Sequence, residues 1–466
     1  MKRAKRLYVL LGVLVVVCAA AFAAVTYQEQ KEAIRTSGEV VLEVDPETVQ
    51  SLSWTYEDET LAFHKDEEET WLYDGDEAFP VDQVRLQTLL EQFQEFRAAF
   101  VIEDVTDYAQ YGLDDPVCTI TLSTGEEDYE ITLGDYSTMD SQRYVSTGDG
   151  QVYLAVSDPL DYFDASLDDM IDDDETPLFG QVEQIQFDGA DSYQVIYQEY
   201  TDDSPYTYCS DDVYFKQEGD DLLPLDTARV EGYLSTIEYL SLDEHVANNA
   251  TEEDLATYGM HDPELTVTIQ HVPEDGDGTA ETFTLSISRD PAQRASADSS
   301  EATDEEILAY ARVDQSKIIY QIDETSYEAL MAAGYDDLRH TQVLTADLAD
   351  VTALDISLEG QTYTITSKGS GEDQTFWYGE EELTGDALTN ALEGLTASSF
   401  TDETPSEKEE ISLTVHLDNE VHPQVQIDLY RYDGEQCLAV IDGEPVSLVP
   451  RTSVVDLIEA VNAIVL

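Results

Sequence analysis

One corner occurs twice in this chain. Tyr111-Gly112-Leu113-Asp114-Asp115-Pro116 returns as Tyr258-Gly259-Met260-His261-Asp262-Pro263, 147 positions later (263 − 116). An acidic, helix-like approach precedes each copy, Asp107-Tyr108-Ala109-Gln110 and Asp254-Leu255-Ala256-Thr257. An alternating run follows each, Cys118-Thr119-Ile120-Thr121-Leu122 and Leu265-Thr266-Val267-Thr268-Ile269. Glycine just past a short helix adopts the left-handed conformation cheaply and stops the helix. Proline four residues on fixes an extended entry into the next strand. The motif is therefore a helix-to-strand corner, and its repetition commits the chain to a repeated architecture.

Around that corner one pattern is written three times. Each unit opens on short alternating runs, led by Val49–Trp54, Val182–Phe187 and Val351–Ile356. Two further runs follow in each, for example Thr60–Phe63 and Trp71–Tyr73 in the first unit and Thr362–Ile365 and Phe376–Tyr378 in the third. Alternation with β-branched and aromatic enrichment predicts half-buried strands. A helix comes next. Asp82 leads Val84, Leu86, Leu89, Leu90 and Phe93; Asp226 leads Val230, Tyr233, Leu234, Ile237 and Leu240; Asp386 leads Leu388, Leu392 and Leu395. The spacing predicts an apolar stripe, and the leading Asp is placed to cap free amides of the first turn. Each unit closes on a strand (Val152–Val156, Ile318–Ile322, Val446–Val449), a polar break and a second helix starting near Leu160, Ser326 and Val454. The third unit lacks the corner and carries Thr404-Pro405-Ser406-Glu407 instead. An acidic Ser/Ala-rich insert between Ser288 and Ile307 is expected to be a mobile surface loop.

A chain of 466 residues is too long for one core and suits about three domains. Four cations in Met1–Arg6 precede an uninterrupted apolar run from Leu7 to Val25. Those 19 residues (25 − 7 + 1) make about 28 Å of helix, close to a bilayer core. The cations place the N-terminal flank in the cytoplasm and the rest outside. A cleaved signal peptide is the rival, with Ala21-Phe22-Ala23 as a small-x-small site, although cleavable cores are usually shorter. The expected organisation is a basic flank and transmembrane anchor (1–27), a tether (28–44), and three α+β repeats over 45–176, 177–342 and 343–466. The fold class is α+β, three consecutive repeats of mainly antiparallel strands with packed helices, after one N-terminal transmembrane helix.

Beyond the anchor, 17 Lys and Arg (21 − 4) face 102 Asp and Glu, a formal charge of −85. Such a surface repels nucleic acid and anionic headgroups. Cys118, Cys209 and Cys437 are widely spaced and odd in number, which predicts buried thiols rather than a disulfide framework.

Catalytic, cofactor and metal residues do not emerge. The histidines (His64, His245, His261, His271, His340, His416, His422) show no zinc-site spacing, and there is no CxxC, G-x-S-x-G, S-x-x-K or phosphate-cradling loop. With 102 acids a carboxylate pair at a workable distance carries no information. Asp168–Glu175 and Glu274–Gly278 look like calcium loops but lack the required ligand pattern, so solvated acidic turns are expected. Trp54, Trp71, Tyr73, Trp377 and Tyr378 could stack on sugars or grip a partner, but their alternation favours the core.

The corner, the run Ile131-Thr132-Leu133-Gly134-Asp135, the pair Tyr144-Val145 and the closing Val152-Tyr153-Leu154 together resemble the domain of unknown function 4340 family. The resemblance covers roughly Trp71–Leu167, with a second match over Val213–Leu338; the third unit departs from it. It implies no catalytic residues. It implies an envelope protein, an auxiliary extracytoplasmic component of ABC-type export systems of the gliding-motility type. The expected function is thus a non-enzymatic, membrane-anchored scaffold or binding subunit, with an ABC-type permease or another envelope protein as partner and no cofactor. A surface enzyme cutting glycans with an Asp/Glu pair and a free-standing adhesin or spacer stay open as alternatives.

Overall fold

The computed structural model describes residues 38–273, 278–297, 306–369 and 374–466. The anchor expected at Leu7–Val25 lies outside them. Among the described residues no helix is long and apolar enough to cross a membrane.

The described strands form three nine-stranded sheets. The first holds β1 (Glu39–Leu42), β2 (Ser51–Tyr56), β3 (Glu59–Lys65), β4 (Trp71–Tyr73) and β5 (Phe96–Ile102). It continues with β6 (Cys118–Ser123), β7 (Asp128–Ser137), β8 (Gln142–Ser146) and β9 (Val152–Ala155). The second holds β10 (Phe179–Asp188), β11 (Tyr193–Tyr197), β12 (Tyr214–Glu218), β13 (Asp221–Pro224) and β14 (Glu244–Ala247). To these it adds β15 (Leu265–Pro273), β16 (Glu281–Arg289), β17 (Ala309–Val313) and β18 (Ile319–Ile322). The third holds β19 (Val351–Leu358), β20 (Gln361–Lys368), β21 (Thr375–Tyr378), β22 (Glu381–Glu382) and β23 (Ser399–Phe400). Its remaining strands are β24 (Glu409–Leu417), β25 (Gln424–Arg431), β26 (Gln436–Ile441) and β27 (Glu444–Pro450).

The orders superpose strand for strand. They run β4-β3-β2-β6-β7-β8-β9-β5, then β12-β11-β10-β15-β16-β17-β18-β14, then β21-β20-β19-β24-β25-β26-β27-β23. The ninth strand is a variable edge: β1 beside β5 in the first sheet, β13 beside β12 and β22 beside β21 in the others. Three equivalent places are thus held by the strands beginning near Val49, Val182 and Val351.

The register follows from the side-chain period of two. Leu52 faces Leu122 and Trp54 faces Ile120; Ile185 faces Ile269 and Phe187 faces Val267; Leu354 faces Val415 and Ile356 faces Leu413. All twelve are buried, so a one-residue slip would turn each core face to water.

The helices cover that apolar face. The first of each repeat is α1 (Gln83–Glu91), α3 (Thr227–Glu238) and α8 (Ala387–Glu393); the second is α2 (Leu160–Phe163), α6 (Glu324–Met331) and α9 (Arg451–Val465). Phe163 of α2 sits between Phe93, after α1, and Trp54 of β2, with ring centroids 5.7 and 5.5 Å away. In the second repeat Tyr233 of α3 meets Phe187 edge-on and donates its hydroxyl to the Leu330 carbonyl of α6.

Two expectations about the first helices need correction. Val84 is 75% exposed, because two residues along a helix turn it about 200° away from Leu86. Asp82 and Asp226 each accept two first-turn amides, but the Asp386 side chain caps nothing. A third correction concerns the insert. Ser288 and Arg289 complete β16, and α5 (Pro291–Ala297) follows where a loop was expected; 298–305 lie outside the described residues.

By compactness the chain divides into one unit ending at Asp174 and including Ala247–Asn249, and another comprising Glu175–Val246 and Ala250–Leu466. The second unit holds the second and third sheets.

Candidate functional site

The histidines are used one at a time. His64, His261, His340 and His416 each meet a carboxylate, respectively on Asp74, Glu252, Asp212 and Asp355, at 2.6 to 3.0 Å. His422 faces the Ser204 carbonyl and the Tyr208 ring. His271 is buried edge-on to Phe179, and its Nδ1 has no hydrogen-bond partner. Among the described residues no three His, Cys, Asp or Glu side chains are grouped to hold a metal. In the acidic turn at Asp168, the Asp169 carboxylate takes the amide and hydroxyl of Ser166. Of the second acidic turn, 274–277 lie outside the described residues.

The described thiols, Cys118, Cys209 and Cys437, are free, the first and last of them buried. Burial pushes Cys118 and Cys209 up to about 12, with the Asp212 charge adding to the rise at Cys209, and pushes Cys437 up to about 11. A nucleophilic cysteine needs the opposite shift. Trp54 and Trp71 are core residues, whereas Tyr73, Trp377 and Tyr378 are half-buried.

Two polar groups, one buried and one partly buried, tie structure together. Asp212, 1% exposed, accepts from Thr207 Oγ1 at 2.5 Å and pairs with His340 Nε2 at 2.7 Å. It thereby joins a loop of the second repeat to the segment that leads into the third. Glu264, just after the second corner, accepts from the Arg289 amide and guanidinium and from the Tyr327 hydroxyl. Burial alone would raise its carboxyl, but these hydrogen bonds hold it below the ordinary range. Asp350 goes the other way: burial, then the charges of Asp347, Asp418 and Asp202, raises it.

One cavity with room for a ligand lies in the third repeat. It has a volume of about 470 Å³ and opens between the β21–β22 hairpin, the start of α8 and the last turns of α9. Phe376, Tyr378 and Leu383 form one wall, and Ala460, Ala463 and Ile464 the other. Glu381, Glu382 and Asp386 stand exposed at its rim, and among the described residues no Lys or Arg lines it. Two local departures from the other repeats shape it. Gly385 takes φ +89°, which leaves Asp386 at φ −102°, ψ 19° instead of the extended cap geometry of Asp82 and Asp226. Its carboxylate is therefore not spent on the helix. The first helical residue in the other repeats grips the neighbouring strand or the loop entering it: Gln83 bonds both the amide and the carbonyl of Trp71 in β4, and Thr227 bonds the Val213 amide and the Asp211 carbonyl just before β12. Ala387 has no group to do so. The sequence pointed to Tyr378 and Asp386 for other reasons; the signal that could have found the cavity is Ala387 standing where Gln83 and Thr227 stand.

Both YG corners and the strands that follow them match a known family profile, described as a domain of unknown function (DUF4340), over residues 71–195 and 218–414. The chain belongs to the DUF4340 family. The second stretch runs on into β24 of the third sheet, further than the sequence resemblance reached. No curated protein matches the chain. As a DUF4340 protein it has a repeated sheet architecture to which the family description attaches no activity.

Proposed function

We propose that this protein is a non-enzymatic extracytoplasmic scaffold or binding subunit of a bacterial envelope complex, anchored by the helix expected at Leu7–Val25 and auxiliary to an ABC-type transporter. The observation that carries the reading is the repetition itself: one eight-strand order built three times in a chain whose reactive side chains serve the fold. Serial modules multiply surface for partners without building a reaction centre. The acidic surface suits an extracytoplasmic location and disfavours nucleic acid.

The glycan-acting alternative draws on one specific observation, the aromatic and carboxylate groups around the third-repeat cavity. A general acid needs a carboxyl kept protonated by burial, and Glu381, Glu382 and Asp386 are exposed. Crosslinking in native membranes, followed by mass spectrometry of what co-purifies, tests the scaffold reading. Permease subunits are the expected catch. Their consistent absence, together with a glycan-cleaving activity abolished by one carboxylate substitution, would overturn it.

A further inference from the structure

We infer that the third-repeat cavity is the seat of a short segment from a partner protein, one that carries a large apolar side chain beside lysine or arginine. The inference rests on the scaffold reading and names the chemistry of its partner. In the first two repeats the equivalent place is plugged from within. Seven residues after α2, Met170 is fully buried and its carbonyl accepts the Asp82 amide at 2.8 Å, while Ile171 bridges to Val81. Seven residues after α6, Leu338 is buried and its carbonyl accepts the Asp226 amide at 3.0 Å. Both plugs are apolar side chains on a segment that turns back to the foot of the first helix.

The third repeat replaces this device. Its closing helix α9 runs uninterrupted for 15 residues, and the small side chains of Ala460 and Ala463 line the cavity beside the start of α8. They leave the cavity, with Phe376, Tyr378, Leu383 and Ile464 only partly covered against the core. An apolar side chain on a short helical turn fits because two copies of this fold already fill the place that way, Met170 closing the turn Asp168–Met170 and Leu338 the turn Tyr335–Leu338. The charge of the segment follows from the rim. The internal plugs are themselves acidic (Leu167-Asp168-Asp169-Met170-Ile171 and Tyr335-Asp336-Asp337-Leu338). The third repeat instead gathers Glu381, Glu382 and the uncommitted Asp386 with no cation among the described lining residues. An acidic segment would be repelled there and a basic one drawn in.

The test uses the full-length chain in detergent micelles and fluorescein-labelled synthetic peptides read by anisotropy. The probe contains Leu-Lys-Lys-Met-Ile, the first plug with lysine for its two aspartates. One control keeps the aspartates, and another keeps the lysines but has glycine for the apolar residues. The lysine probe should bind at least tenfold more tightly than either control. Ala463→Trp, which fills the cavity, should weaken it tenfold or more. The triple change Glu381→Gln, Glu382→Gln, Asp386→Asn should weaken it several-fold and flatten its salt dependence. Ala460→Leu serves as a second filler if Ala463→Trp lowers the melting temperature. No binding of the lysine probe, equal binding by the glycine control, or undiminished binding in both fillers would each overturn the inference. The same filler in native membranes separates the two proposals. Partners retained by the filled protein overturn the docking seat and leave the scaffold reading intact, whereas partners absent from the unmodified protein fail the scaffold reading whatever the peptide does.

Discussion

The ring of Tyr111 lies 4.9 Å from that of Tyr144, and Tyr258 repeats the same separation with Tyr310. Tyr144 and Tyr310 occupy the same strand of their sheets, so the tyrosine of each corner locks the turn onto the strand two places beyond the one it feeds. The glycine beside it makes that approach possible. Gly112 and Gly259 take φ +68° and +74°, and a Cβ on Gly112 would stand 2.8 Å from the Asp135 amide nitrogen.

Gly112→Ala should therefore destabilise the first unit by about 3 kcal/mol, from left-handed strain plus a backbone clash. Gly125→Ala, at φ +80° with nothing within 4 Å, should cost only the strain, about 1 kcal/mol. Gly259→Ala should fall between, since its nearest neighbour is the hydroxyl of Ser288, which can rotate. Urea unfolding of the three variants gives the ranking; equal losses at positions 112 and 125 would contradict the close-approach argument.

Asp212→Ala should leave the Thr207 hydroxyl and His340 without their buried acceptor. A loss of about 1–3 kcal/mol in the second unit is expected. Asp212→Asn should cost less, because the amide oxygen can still accept. Unfolding monitored by hydrogen exchange should show the effect around 207–213 and 340, and protection unchanged there would refute the linking role.

The described thiols should resist alkylation in the folded protein. Burial holds Cys118 and Cys209 at about 12 and Cys437 at about 11, so thiolate is scarce at pH 8. Iodoacetamide followed by peptide mass mapping should find all three unmodified until denaturant is added. Rapid labelling of Cys209, the half-exposed one, is the result that would contradict this account.

His271 sets a pH dependence with a definite sign. Burial lowers its pKa below the ordinary 6.5. The unfolded chain therefore takes up this proton first as the solution is acidified. Stability from this site is complete above about 6.5 and is lost as the pH falls below that value toward the lowered folded one. His271→Leu should flatten that part of the profile between pH 7.5 and 5, measured as the difference in urea midpoint between variant and parent. An identical slope in both proteins would exclude His271 as its source.

Much of the fold is legible because its causes are local. Alternation over Leu52–Trp54 or Leu354–Ile356 reports a strand with one buried face, and a glycine-proline corner reports a turn, before any partner is known. The apolar stripe Leu86, Leu89, Leu90, Phe93 is equally local, and the one misplaced member, Val84, fails simple helical arithmetic. Asp386 was not legible in this way. It matches Asp82 and Asp226 in type and place, yet Gly385 rotates the backbone ahead of it and the carboxylate is left for something else.

By itself the sequence determined the three-fold repetition and, in each unit, the succession of opening strands, helix, closing strand and second helix, since each depends on neighbours a few residues away. Only the tertiary structure decided the edge-to-edge order of the strands, which is a matter of long-range pairing. It alone decided, too, that the foot of the first helix is plugged by Met170 and Leu338 in two repeats and stands open beside Ala463 in the third. A cavity is set by volumes that meet from distant parts of the chain, so Ala387 signals it only once the elements around it are placed in space.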